Sequence, residues 1–410
     1  MRRALRNRDF ALLFAAYAVS SVGDVLYEVG VMFEVFARTG STLQTIGVTV
    51  ATRLPPFLLG PAAGVVGDRL SRKRVMIAMD VARLLLVGGL YGLSRADDVP
   101  VWMLYAIVGG LATAKAFYDP ARLAAIPSVV PRDQLVAANS LMLTTLQVAY
   151  AVGYASGGLL VLRLGFQAIV LIDVLTFAVS ACILTLLRLP AVAAADAGAH
   201  AGASAGLLAP ALEGWRYIRG HALIRPLLAM EIMEWVPHGI WSTALMLAFT
   251  ERSLGGDAVW WGWQTAAYFA GLVCGAVLAA TLAGRLARRA GRAIVVNAFF
   301  NSGLTLAYAL SPTLAFATVV AFLFGPPMAL RDLAQDALLQ SHADGRVLGR
   351  VYAARAMGTN LVFLLAAPVF AFSADHLPVR GVYLVGGALY LATAFYALGS
   401  GAIRGGRVAA

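Results

Sequence analysis

The sequence predicts an all-α membrane protein, with twelve transmembrane helices arranged as two pseudo-symmetric six-helix halves. Three observations lead there. Apolar runs of about 20 residues or more, long enough to cross a bilayer as a helix, recur along the chain. The composition is 60% hydrophobic and 13% charged, with a mean hydropathy of +0.78. The basic residues concentrate in alternate loops, and an arginine-rich turn occurs at the same point of each half, on either side of a low-complexity linker. The runs are too long and too uniformly apolar for barrel strands, which would alternate over about ten residues.

The elements follow in order. The start, "MRRALRNRDF", has the basic character of a signal-peptide n-region. The apolar run behind it is too long and lacks a small-residue cleavage pattern, so it is helix one, 10–37. Helices two to six are expected at 44–67, 74–94, 101–119, 136–162 and 167–188. The chain then changes character, with "AVAAADAGAHAGASAGLLAP" forming an Ala/Gly-rich linker. "ALEGWRYIRGHALIRP" behind it reads as a short amphipathic helix at the cytoplasmic interface. Helices seven to twelve are expected at 223–250, 258–283, 291–310, 313–338, 346–372 and 379–399, with helix seven bent around Pro237. The domains are therefore 1–188, a linker 189–222, and 223–410.

A formal net charge of +11 would suit a nucleic-acid binder, but its distribution argues for membrane topology and against a nucleic-acid partner. Even-numbered loops and both termini, taken as one side, hold most of the 32 Lys and Arg. The other side holds Arg38, Arg95, Arg163, Arg252 and Arg380. Arg53, Arg83, Lys115 and Arg355 lie within helices, and the remainder, Arg331 among them, count with the first side. The positive-inside rule then puts both termini in the cytoplasm of a plasma (inner) membrane of bacterial type. Cys182 and Cys274 both fall in apolar runs, so no disulfide framework and no metal site is expected.

The halves echo one another. "GDRLSRKR" (Gly67–Arg74) aligns with "AGRLARRA" (Ala283–Ala290), with Gly284 where Asp68 stands. A duplicated six-helix unit is the pattern of transporters whose substrate site lies between repeats. In "GVVGDRLSRKR", Gly64 permits close helix packing. Asp68, one turn on, can accept bonds from an arginine or a helix N-terminus, and Arg69, Arg72 and Lys73 hold the loop out of hydrocarbon.

That ordered pattern, G-x-x-x-D-R-x-x-R-K, resembles the signature loop of the major facilitator superfamily, with Ser71 where the motif usually has Gly. "MDVARLLL", "FYDPARLAAIPSVVPRDQLVAANSL" and "LLQSHADGRVLGRVYAA" resemble the branch that holds macrolide-efflux and enterobactin-export proteins, over about Arg6 to residue 399. Helix five reads "GYASGG" (Gly153–Gly158), where drug antiporters of the superfamily usually have Gly-Pro in place of Gly153-Tyr154. The resemblance implies export by alternating access, with helices one and seven bordering a central cavity.

Ionisable groups inside spanning helices are costly and mark function by default. One set is expected on the cytoplasmic side: Asp80 with Arg83, and Asp119 with Arg122, each spaced i, i+3 on one helix face. The resemblance adds Asp68 and Arg355 to this set as a gate network. The second set lies near the midplane. Asp24 and Glu28 share a face of helix one, with Tyr27 beside them, and Glu231, Glu234 and His238 share a face of helix seven. A carboxylate there is suited to carry a proton in one conformation and release it in another. Glu231 or Glu234 is open to pairing with Arg53, His238 reads as a hydrogen-bonded neighbour of Glu234, and Arg53 and Lys115 are placed to neutralise the acidity. Tyr17, Tyr150, Tyr154 and Trp235 offer apolar and cation–π walls.

The chain has no Walker A sequence, no HExxH and no filter motif, which argues against an ATP-driven pump, a metalloenzyme and a channel. The expectation is a monomeric, cofactor-free, proton-coupled secondary exporter of amphipathic drugs or small metabolites, and not an enzyme. Its partners are a small-molecule substrate, protons and the bilayer. A siderophore, a lysophospholipid or a divalent metal is the alternative cargo on the same scaffold.

Overall fold

The computed structural model describes residues 4–94, 99–131, 134–189, 209–344 and 347–407; the side chains of 4, 60–69, 136–137, 140, 143, 209–211, 280 and 283–288 lie outside this description. Its regular structure is helical: α1 (Arg8–Thr39), α2 (Thr42–Arg69), α3 (Arg72–Leu93), α4 (Val101–Val129), α5 (Leu135–Thr185), α6 (Ala209–Gly220), α7 (Ile224–His238), α8 (Thr243–Leu254), α9 (Ala258–Arg288), α10 (Ala290–Ala309), α11 (Leu314–His342), α12 (Leu348–His376), α13 (Val379–Gly399) and α14 (Gly401–Gly405). Eight helices among the described residues are long and apolar enough to cross a membrane.

Three boundaries differ from the sequence expectation. Predicted helix four stops at 119, but α4 continues through Pro120 and Pro127 to Val129. Its apolar face goes on packing past the Asp-Pro pair, with Ala121, Ala125 and Ile126 all buried. Predicted helices five and six are both present as the two arms of α5, and the loop expected at 163–166 narrows to a single non-helical residue, Gly165, where φ is 78° and ψ 167°. That conformation is essentially reserved for glycine, so one residue makes the corner where a four-residue loop is expected. Predicted helix seven is broken: α7 ends at His238, a 3₁₀ turn spans Gly239–Trp241, and α8 begins at Thr243. The break follows Pro237, which α7 carries in its last turn.

The chain divides into two compact units. The first comprises Met1–Gly40 and Gly47–Leu207, the second Ser41–Ile46 and Leu208–Ala410. In the first unit α1 packs along α5 through small residues. A Cβ on Gly153 would stand 2.5 Å from Val25, and one on Gly157 2.8 Å from Val29. Bare helix backbone at these two positions is what admits the β-branched side chains of α1. The end of this unit that carries the α3 start is closed by Phe10, Leu13, Val75, Tyr118, Ile126 and Leu184. The starts of α1 and α3 thus share one end with the ends of α4 and α5.

In the second unit one end is filled by residues such as Leu227, Ile294, Leu338, Val351 and Ala397, and α6 lies against α12. Gly214 of α6 comes so close that a Cβ would stand 2.1 Å from the Arg350 carbonyl oxygen, and Trp215 lies over Gly358. Farther along is an aromatic core, with Trp241 4.1 Å from Phe324 and 5.0 Å from Tyr308 between ring centres. Also in this unit, Asp375 near the end of α12 accepts hydrogen bonds from the backbone amides of Thr42 (2.7 Å) and Leu43 (2.9 Å) and from the Ser41 hydroxyl (2.7 Å).

Candidate functional site

Each unit carries a buried network of acids and bases. In the first unit α1 supplies Asp24, whose Oδ2 lies 3.0 Å from Lys115 Nζ of α4 and 3.7 Å from Arg83 Nη1 of α3. Arg83 is 2% exposed. Its guanidinium lies 4.5 Å from the Tyr118 ring centre and 4.6 Å from that of Phe177, and donates to Asp80. The second Asp80 oxygen accepts from Ser180 Oγ at 2.6 Å. Two aromatic faces and two carboxylates together compensate a cation that hydrocarbon alone would not hold.

The expected Asp80–Arg83 pair is therefore present, but its separation from the midplane acids is corrected. Arg83 is long enough to bridge Asp80 to Asp24, and the two sets form one network in this unit. Asp119 and Arg122 also meet, at 3.3 Å.

Beside Asp24 a cavity of about 80 Å³ is lined by Tyr27, Glu28, Thr52, Val108 and Lys115, among others. Glu28 stands one turn from Asp24, and Lys115, Arg53 and Asp24 are the charges that act on it. Arg53 is thus one of the cations placed to act on Glu28. Tyr150 lies among the same charges and stacks on Tyr154, with ring centres 6.4 Å apart. Tyr154 is 1% exposed and packs inside the unit rather than lining this cavity. Tyr17 is buried, with the Arg122 guanidinium 4.1 Å from its ring centre.

The side chains of Gly64, Asp68 and Arg69 lie outside the described residues. Those of Arg72 and Lys73 serve their own unit. Arg72 donates to the Ala124 carbonyl (2.8 Å) and to Ser128 (2.9 Å), and Lys73 donates to the carbonyls of Thr185 (2.6 Å) and Leu187 (2.7 Å). Both cations sit where the unsatisfied carbonyls and negative dipole ends of α4 and α5 attract them.

In the second unit Glu231 and Glu234 are both buried on α7, and each meets an arginine from a different helix. Arg355 of α12 donates through Nε to both Glu231 oxygens at 2.8 Å and also to Asp336. Arg331 of α11 donates to Glu234 at 2.6 Å and to Asp332 at 2.6 Å. The cation that meets Glu234 is therefore Arg331. His238 stacks against Trp235 with ring centres 4.7 Å apart, and its Nδ1 is 3.4 Å from the Tyr390 hydroxyl. Trp235 also meets Phe363 edge-on at 6.0 Å. Arg355, expected with the gate set, is held by Glu231 and Asp336 within this unit.

Sequence reading missed Asp173, Ser180, Asp332, Asp336 and the aromatic core around Trp241. Arg331, counted with the loop cations, is 2% exposed inside α11. Asp173 was within reach of the rule that found Asp24, since "VLIDVLTFAV" places one carboxylate in an apolar run. Among the described residues no group of three His, Cys, Asp or Glu is placed to hold a metal ion.

The sequence model described as "Major Facilitator Superfamily" matches residues 10–343. The chain is 26% identical over 400 residues to the uncharacterized MFS-type transporter YjbB of Bacillus subtilis, covering 96% of each. It is 27% identical over 381 residues to the multidrug efflux pump Tap of Mycolicibacterium fortuitum, covering 90% of each. Macrolide efflux protein A of Streptococcus pyogenes is 28% identical over 181 residues, 44% of this chain and 45% of that one. Among solved structures, a bacterial homologue of the iron transporter ferroportin in an inward-facing state aligns with a TM-score of 0.68 and 16% identity, over 95% of this chain and 98% of that one. A peptide transporter, POT, aligns at 0.72 and 10%, over 95% and 93%. At these identities the structures establish the fold alone.

Proposed function

The chain belongs to the Major Facilitator Superfamily, and from that premise we propose that it is a proton-coupled secondary exporter of amphipathic drugs or small metabolites, working by alternating access. The protein is a multi-pass helical transporter of the inner membrane and not an enzyme. The export direction and the substrate class are drawn from its likeness to proteins named as macrolide and multidrug efflux pumps. In the proposed topology the two arms of α5 count as two spans and α7 with α8 as one. This gives twelve spans, with domains at 1–188 and 223–410, the linker 189–222 between them, both termini cytoplasmic and a monomer in the bilayer.

One observation carries the coupling: two carboxylates, Asp24 and Glu28, line a cavity together with Lys115. A buried carboxylate facing a cavity exchanges its proton with whatever the cavity admits. When a cationic or amphipathic molecule occupies the place beside Glu28, the proton and the substrate compete for one charge, and antiport follows by linkage. Lys115 holds Asp24 at 3.0 Å and keeps the pocket from being strongly acidic, which favours amphiphiles and zwitterions over strong cations. The cavity is about 80 Å³, whereas a drug-sized ligand needs roughly 300 Å³ or more. Substrate therefore enters in another conformation of the cycle.

The test is purified protein in liposomes with an imposed proton gradient and an internal pH dye, challenged with macrolides, tetracyclines, catecholate siderophores, lysolipids and divalent metals. Substrate-dependent proton flux that Glu28→Gln abolishes is the expected result. Flux unaffected by Glu28→Gln and Asp24→Asn removes the coupling assignment, and binding without flux for any compound removes the antiport reading.

A further inference from the structure

One buried acid in the first unit takes no part in the reading above. Asp173 of α5 is 0% exposed. Its Oδ1 accepts from Thr176 Oγ1 at 3.2 Å, and its Oδ2 is buried without a hydrogen-bond partner. Solvent is kept from it by the close approach of α1: a Cβ on Gly23 would lie 2.5 Å from Asp173 Oδ1 and 2.1 Å from Thr176 Oγ1.

The charged neighbours can be taken helix by helix, since α5 packs against α1, α3 and α4. From α1 come Asp24 and Tyr27, the latter with a buried and unpartnered hydroxyl. From α3 come Arg83 and Asp80, and from α4 Lys115 and Tyr118. One face of α5 meets this set in sequence. Ser180 holds Asp80, Phe177 covers Arg83, and Asp173, one turn before Phe177, lies next to Gly23 at the Asp24 level.

Charge balance then decides the state of Asp173. Asp24 and Asp80 are matched by Arg83 and Lys115, two acids against two bases, all joined by the contacts described above. Among the described residues of this set a third carboxylate charge has no cation left to meet it, and Asp173 has no solvent; an uncompensated buried charge is among the most costly features a protein interior can hold. The set is neutral when Asp173 carries a proton. It is equally neutral when Asp24 carries that proton and Asp173 is the anion facing Arg83 and Lys115.

We propose that Asp173 is a further proton-holding residue, which shares one proton with Asp24. In the exchange the O–H bond on Asp173 breaks and an O–H bond on Asp24 forms, so Asp173 gains the negative charge that Asp24 loses and the net charge of the network is unchanged. When Asp24 gives up its hold on Lys115 and Arg83, Asp173 becomes their counter-ion. The proposal rests on the proton-coupled reading above for its place in the cycle, but not for the protonation state in the conformation seen here.

The experiment is infrared spectroscopy of the full chain in lipid at neutral pH without substrate, following the carbonyl stretch of protonated carboxyl groups. Wild type is expected to show a component that Asp173→Asn removes and Glu28→Gln leaves in place. Asp24→Asn, which makes that site permanently neutral, is expected to remove the same component by ionising Asp173 without touching it. A component that persists in Asp173→Asn overturns the assignment, and one that persists in Asp24→Asn overturns the sharing. Asp173→Ser, smaller than the native side chain, replaces the Asn variant if the latter does not fold. No substrate is involved, so this outcome is independent of the liposome flux. Absent proton flux with the infrared pattern intact removes only the coupled-transport reading, and flux with an unchanged spectrum in Asp173→Asn removes only this proposal.

Discussion

Replacing Arg331 by methionine tests how the second unit tolerates its buried charges. Arg331 is 2% exposed and Glu234 1%, and they meet at 2.6 Å. Methionine preserves much of the apolar stem but leaves Glu234 as a buried carboxylate with no cation. Breaking such a pair from one side costs about 3–5 kcal/mol. Asp332, the other partner of Arg331, is 47% exposed and turns to solvent at little cost, so the penalty falls on Glu234. For a unit of this size each kcal/mol moves the midpoint by roughly 2–4 °C, which places the drop at roughly 6–20 °C. Intrinsic fluorescence reads this directly, because of the seven tryptophans all but Trp102 lie in the second unit. The double variant Glu234→Gln/Arg331→Met removes both charges and is expected to recover most of the loss, with a coupling of about 2–3 kcal/mol in the cycle. A midpoint unchanged in Arg331→Met, or a double variant no more stable than that single one, refutes the reasoning.

Three further outcomes are expected. Gly165→Val forces a β-branched side chain into a conformation at φ 78° and should lower the stability of the first unit by about 1–3 kcal/mol, read as an earlier onset of heat-induced aggregation of detergent-solubilised protein. Gly157→Leu places atoms where Val29 already stands 2.8 Å from a Cβ, so α1 and α5 cannot close; a variant that elutes from size exclusion as wild type does argues against that packing. Asp375→Ala strips the donors at Ser41, Thr42 and Leu43 of their acceptor and should cost about 0.5–2 kcal/mol, the range of a lost helix N-cap, while Asp375→Asn keeps part of it. A midpoint in Asp375→Ala equal to that of wild type would show that the cap contributes nothing.

Much of the architecture was legible in the chain because bilayer crossing imposes a length and an apolarity that survive in one dimension. The places that escaped detection have definite causes. Gly165 turns the chain within a single residue, so the break read between helices five and six is in the right place but shorter than the loop expected there. Asp119-Pro120 resembled a helix stop, yet tertiary packing carried α4 ten residues further. Asp24, Glu28, Asp80, Arg83, Lys115, Glu231 and Glu234 were found because a charge in an apolar run stands out. Arg331 was misfiled because it lies near the end of a predicted helix, where one further turn would have put it in water.

The sequence by itself determined the helical membrane class, the candidate charges and the family signature, since each is a local pattern of apolar length, residue type or spacing. Only the tertiary structure decided who partners whom. It joined Asp80 to Asp24 through Arg83, assigned Glu234 to Arg331 and Glu231 to Arg355, and left Asp173 Oδ2 without a hydrogen-bond partner among the described residues. The reason is physical. A buried charge is satisfied across helices, by groups far away in sequence whose approach depends on where a glycine lets two backbones close. No spacing rule along one chain encodes that distance.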